Sequence, residues 1–183
     1  MNDQPMPATM PCQSKAPATA MCRGILNAFS THGNSPMNPQ NGHDLEDLAP
    51  GMKAELAKTI TDADIVLFAG VTTDTNAIHL DDEYAKSTPF GGRIAHGMLS
   101  AGLISAVLGS RLPGPGTIYI SQTLKFRAPV RPGDTLHAIV TVKEVLADKG
   151  RVLLDTVCTV NGKTVVEGEA LMMPTSRARR EAA

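Results

Sequence analysis

Within six positions the chain carries Asp74, Asn76 and His79, a carboxylate, an amide and an imidazole in one polar segment. A carboxylate and an imidazole held together can divide a proton-transfer task at neutral pH, because each tunes the other's protonation. The same residue types also suit plain turn chemistry, with Asp74 and Asn76 as turn formers and His79 capping the next helix. Spacing alone leaves both readings open. A second feature is Ala95-His96-Gly97, at the entrance of an apolar run. Unpaired N–H groups in the first turn of a helix can stabilise an oxyanion, and Gly97 lets a ligand atom come close to the backbone. The plainer alternative is that Gly97 permits a sharp entrance and His96 is a satisfied core residue. Ser105 falls inside the apolar run, where a buried hydroxyl commonly bonds back to the carbonyl four residues earlier. Arg93 reads as a phosphate contact or a surface cation, Cys158 as packing, and His137 as an edge residue of a strand.

Several elements must position these residues. Lys53 to Thr59 reads as a strand, and Thr61 as the N-cap of a helix through Ala69, with Asp62 and Asp64 in its favourable first turn and Gly70 at its end. A short helix is expected from Asp81 to Lys86, followed by a loop marked by Pro89, Gly91 and Gly92. Gly97 to Leu108 contains no charge, which predicts a helix buried on nearly every side, with Ala101, Gly102, Ser105 and Ala106 small enough to admit another backbone. After Pro113-Gly114-Pro115-Gly116 the pattern becomes β-rich: 118–126, 136–145, 152–160 and 164–172. Asn161-Gly162 is the strongest hairpin signal in the chain. These four strands are expected to form an antiparallel meander. With the first strand they make a curved antiparallel β-sheet wrapped around a long central α-helix, an α+β fold.

The composition bounds the function. Among 183 residues, 17 basic and 18 acidic side chains give a formal charge of -1. That offers no electrostatic footprint for a nucleic acid or an anionic membrane surface. Aromatic residues make up 3%, so base-stacking platforms are poorly supplied and the core must be aliphatic. No run reaches the ~20 apolar residues of a membrane-spanning helix. Three cysteines without metal or redox spacing fit a reducing compartment, and the cytoplasm is the expected location. Six of the 13 prolines fall before residue 40, among Gln, Ser, Asn and Thr. This predicts a disordered arm over 1–47, with a transient helix at most over Ala20 to Phe29, and neither a secretory nor a transit leader. Met37 is an alternative start. The folded domain is expected over 48–174, and 175–183, with Arg177, Arg179 and Arg180, as a frayed basic tail.

The run Phe68-Ala69-Gly70-Val71-Thr72-Thr73-Asp74-Thr75-Asn76-Ala77-Ile78-His79 resembles the hydratase-2 motif of MaoC-like dehydratases, the (R)-specific enoyl-CoA hydratases of the hot-dog fold. Ile94-Ala95-His96-Gly97-Met98-Leu99 and Pro129-Val130-Arg131-Pro132-Gly133-Asp134 follow in the same order as that family's segments. The resemblance implies a homodimer acting on an acyl-CoA thioester, with no cofactor. It implies that Asp74 and His79 hold and activate one water and that Gly97 donates its N–H to the thioester carbonyl. Asn76 would shape the catalytic loop and Ser105 would support the active-site hydrogen bonds; His96, beside Gly97, is placed with them as a supporting residue on its position alone. Ala77 departs from the family's usual proline, which should loosen the loop. Neither a metal-ligand spacing nor a glycine-rich dinucleotide fingerprint is present in the sequence, so no metal, flavin or nicotinamide is expected. Two rivals share the fold: an acyl-CoA thioesterase, disfavoured because 97–108 holds no Asp or Glu, and a non-catalytic acyl-thioester-binding subunit.

Overall fold

The computed structural model describes residues 42–181. The expectations for residues 1–41, including the helical patch and the alternative start at Met37, lie outside the described residues.

Five strands form one antiparallel sheet: β1 (Lys53–Thr59), β2 (Ile118–Phe126), β3 (Thr135–Leu146), β4 (Arg151–Val160) and β5 (Lys163–Met173). Side chains alternate across the middle strands as period-two geometry requires. Leu136, Ala138, Val140 and Val142 of β3 are buried, as are Val152, Leu154, Thr156 and Cys158 of β4. The register places Val142 opposite Leu154 and Ala138 opposite Cys158, so the two buried rows merge into one apolar surface. The Asn161-Gly162 turn joining β4 to β5 has positive φ at both residues, 50° and 75°, which is the geometry a tight hairpin demands.

The strand order is β1-β3-β4-β5-β2, which corrects the simple meander. Only β3, β4 and β5 follow one another; β2 pairs with β5, and β3 pairs with β1. The link through Pro129 and Pro132 is the reason. Instead of closing a hairpin, it crosses beneath the helix entrance, where Ala95 N donates to Val130 O at 2.7 Å and Gly133 N to Ile60 O at 2.7 Å.

Helix α1 (Asp62–Thr72) starts in a reciprocal capping box, Asp64 N to Thr61 Oγ1 at 3.2 Å and Thr61 N to Asp64 Oδ2 at 2.9 Å. Gly70 does not end it. The helix runs on two residues, and Thr73 takes the left-handed conformation at φ 61°, an uncommon setting for a β-branched residue. Two short helices follow, α2 (Ala77–Leu80), which the sequence pattern does not predict, and α3 (Asp82–Lys86).

The long helix α4 (Gly97–Ser110) lies on the sheet through Leu99, Leu103, Ile104, Val107 and Leu108. It is not buried on every side. Gly102, Ser105, Ala106 and Gly109 are exposed, because an uncharged sequence of small residues gives no indication of which face meets the core.

Two further corrections concern the ends. Residues 42–47, assigned above to the arm, hold a 3₁₀ turn over Leu45–Asp47 with Leu45 buried. The basic tail is docked against them. Arg180 of α5 (Arg177–Glu181) donates to both carboxylate oxygens of Asp44, each at 2.7 Å, and Ser176 Oγ, just before the helix, donates to Glu46 Oε1 at 2.6 Å. The Arg180 hydrogen bond outweighs burial and holds the Asp44 carboxyl at about 2; the Ser176 hydroxyl does the same for Glu46, also at about 2. Charge pairing across 136 residues of sequence is invisible to a local composition argument.

Candidate active site

The segment between α1 and α3 is built by side chains folding back on their own backbone. Asn76 caps α2, its Oδ1 accepting from Ile78 N at 3.2 Å. Asp74 Oδ1 accepts from Asn76 N at 3.4 Å, leaving the second carboxylate oxygen for other partners. Asp74 is exposed, whereas His79, the third residue of α2, is buried. The Nδ1 of His79 lies 2.8 Å from the carbonyl of Ile94. A carbonyl only accepts, so Nδ1 carries the proton and, in the neutral ring, Nε2 is the bare nitrogen.

Arg93 is not a free cation. It donates to Asp82 of α3 at 2.8 Å and to Asp62 of α1 at 2.7 Å, tying together the two helices that flank the loop.

At the start of α4 the Gly97 N–H has no acceptor among the described residues, as a first-turn donor should. A side chain at this position would collide with Phe126, whose ring would lie 2.8 Å from its Cβ. Any other residue here needs the half-exposed Phe126 ring to move aside.

The fold brings Asp74, His79, His96 and Gly97 to one cavity of ≈ 500 Å³, lined also by Phe90, Phe126 and Val130. Nothing in the sequence spacing of Phe90 or Phe126 separates them from core residues. Ser105 stands apart from this cavity. It is exposed, lining with Asp74, Met98, Tyr119 and Gln122 a second cavity of ≈ 590 Å³ across the carboxylate.

Asp74, His79 and His96 each offer an atom within 4.8 Å of the others, a convergence their sequence spacing does not advertise. They do not suit a metal ion. The rings of His79 and His96 stack with centroids 3.8 Å apart and planes 31° from parallel. Ligating lone pairs lie in the plane of each ring, so those of two stacked rings run side by side instead of meeting at one ion.

Comparison with known proteins agrees with this architecture. The family model described as "MaoC like domain" matches residues 47–167. An (R)-specific enoyl-CoA hydratase of Rhodospirillum rubrum is 58% identical over 135 residues, covering 74% of this chain and 94% of the relative. An enzyme of the same name from Aeromonas caviae is 41% identical over 128 residues, 69% of this chain and 96% of the relative. Among solved structures, the R-hydratase PhaJ1 from Pseudomonas aeruginosa in the unliganded form superposes with a TM-score of 0.71 at 46% identity, over 75% of this chain and 88% of that one. The fold is the hot-dog fold, and the chain belongs to the MaoC-like dehydratase family.

Proposed function

We propose that the protein is an (R)-specific enoyl-CoA hydratase, adding water reversibly to a trans-2-enoyl-CoA to give the (R)-3-hydroxyacyl-CoA. The observation that carries this reading is the joint presence of Asp74, His79 and the free Gly97 N–H in one cavity. Attack of water at C3 moves negative charge onto the thioester oxygen, and the Gly97 N–H at the positive end of α4 stabilises it there. Asp74 and His79 hold the water between them; one proton leaves it as the C3–O bond forms, and one is delivered to C2, so the pair ends as it began. The Ile94 carbonyl keeps His79 ready by fixing the proton on Nδ1. Dehydration is the same path reversed.

The second cavity extends from Asp74 away from the oxyanion donor, where the carbons beyond C3 must go. Ala101 and Ser105 of α4 line it, whereas Leu103 and Ile104 are buried against the sheet and do not determine its depth. Hydrolysis is disfavoured because α4 carries no carboxylate. A silent subunit would have no use for an imidazole with a fixed tautomer beside an aspartate.

The reading extends to a homodimer. The open face of α4, Leu67 and Val71 on α1, and Ile118 and Tyr119 on edge strand β2 are exposed together, and a second copy of the chain would cover them. Supply of (R)-3-hydroxyacyl-CoA to polyhydroxyalkanoate synthesis fits the product, and a solved (R)-hydratase from A. caviae is described as involved in that biosynthesis. A reducing compartment such as the cytoplasm suits Cys158, a buried thiol pushed up to about 12 by desolvation. No described helix is long and apolar enough to cross a membrane.

The test is hydration of crotonyl-CoA followed by loss of the enoyl-thioester absorbance, with the product's configuration assigned by an (R)-specific coupling enzyme. Persistence of the absorbance across a series of acyl lengths would overturn the reading, and formation of free CoA would put a thioesterase in its place.

A further inference from the structure

His96 occupies a position that helix stability alone would give to another residue. It is the N-cap of α4, where Ser, Thr, Asp or Asn would bond the first-turn N–H groups, yet its side chain makes no such bond. Its Nε2 lies 2.9 Å from the backbone carbonyl of Asp74 instead, and because a carbonyl accepts, Nε2 carries the proton. The ring is 2% exposed. It stacks on His79 at 3.8 Å between centroids, and the Phe68 ring lies 5.0 Å away, tilted by 46°. Its other nitrogen, Nδ1, is buried and has no hydrogen-bond partner among the described residues. A buried unsatisfied nitrogen is a cost that a residue serving only the fold need not carry.

We propose that His96 is a positioning residue, a strut that fixes the Asp74 backbone and the His79 ring to the first turn of α4. Proton carriers and oxyanion donor then keep one geometry, although they come from two separate stretches of chain. The inference rests on the hydratase reading and adds to it the reason the residue before Gly97 is a histidine. Reaction geometry is unforgiving, since a displacement of ~1 Å can cost ~100-fold in rate.

Two substitutions separate the strut from a structural role. His96→Gln keeps an amide N–H near the position of Nε2, whereas His96→Asn keeps only the position of Nδ1 and adds a good N-cap for α4. H96Q is expected to retain kcat within about 5-fold, and H96N to lose about 100-fold with KM changed by less than about 3-fold. The thermal midpoint of H96N should be no lower than that of H96Q. The inference is overturned if H96N is as active as H96Q, if both keep the wild-type kcat, or if the losses follow the thermal midpoints. A measurement without substrate keeps it independent of the hydratase reading. Imidazole nitrogen NMR of the wild-type protein should show His96 as the Nε2–H tautomer and His79 as the Nδ1–H tautomer. The opposite tautomer at His96 would remove the bond to Asp74 and with it the strut, whatever the enzyme hydrates; a wild-type protein inactive on every enoyl-CoA but with these tautomers would sink the hydratase reading alone.

Discussion

The face of α4 that meets the sheet and the polar segment from Thr73 to Leu80 are held in opposite ways. The first is redundant: Leu99, Leu103, Ile104, Val107 and Leu108 are all buried in one apolar cluster, and its stability is a sum over many small contacts. The second is singular, relying on individual bonds such as Asn76 Oδ1 to Ile78 N, Ile94 O to His79 Nδ1 and Asp74 O to His96 Nε2. Losing one atom from the core lowers stability by degrees, whereas losing one from the loop can end the chemistry while the fold stands.

The largest expected effect breaks the loop and leaves the core alone. Asp74→Asn and His79→Gln should each lower kcat on crotonyl-CoA by about 10²- to 10⁴-fold while the thermal midpoint barely moves. Activity that survives either change would remove that residue from the mechanism. The reverse experiment is Ile104→Ala, which empties a fully buried site. It should cost about 2–5 kcal/mol in chemical denaturation while activity per folded molecule is retained, and a larger loss of kcat than of stability would show that the two regions are not separable.

A smaller effect tests a third kind of attachment, the charged clasp between Asp44, Glu46 and α5. Both carboxyls are held at about 2, below their ordinary values of 3.8 and 4.5. The unfolded chain therefore takes up these protons first as the pH falls. The clasp contributes fully above about pH 5 and loses its contribution progressively towards about pH 2. Melting curves across that range should fall more steeply for the wild type than for Asp44→Asn, whose midpoint near neutrality should be roughly 2–4 °C lower. Parallel curves would mean that Asp44 contributes no pH dependence.

The smallest effect sharpens the comparison. Asn76 has φ -56° and ψ 128°, the conformation a residue takes before proline, and Ala77 is the first residue of α2, with no acceptor for its N–H among the described residues. Ala77→Pro should raise stability by about 0.4–1 kcal/mol without lowering kcat. A destabilised variant would show that the loop depends on an alanine-specific contact.

Much of this was legible in the residues. Thr61 announced its capping box, Asn161-Gly162 its hairpin, and the alternation in β3 and β4 their buried rows, because each of these is a local preference that the tertiary structure reinforces. Asp74, His79 and Gly97 stand out as residue types, and the family resemblance implies the roles proposed for them. What could not be read was long-range. Turn residues at 129–134 mark a break in the chain but do not say that β2 crosses to the far edge of the sheet. An uncharged helix does not reveal that Ser105 faces away from the oxyanion donor, and a polar stretch such as 42–47 looks unfolded until Arg180 is seen beside it. The stacking of His79 on His96 joins residues 17 positions apart, and only the fold places them together.

The clasp has a topological corollary. Leu45 N donates to Thr175 O at 2.8 Å, so the two ends of the described stretch lie side by side. A peptide of a few residues could close them into a ring, and the chain could be reopened at the exposed Asn161-Gly162 turn without cutting the loop or the central helix. The order in which the elements follow one another is thus separable from the chemistry they position, and a circularly permuted chain should still assemble it.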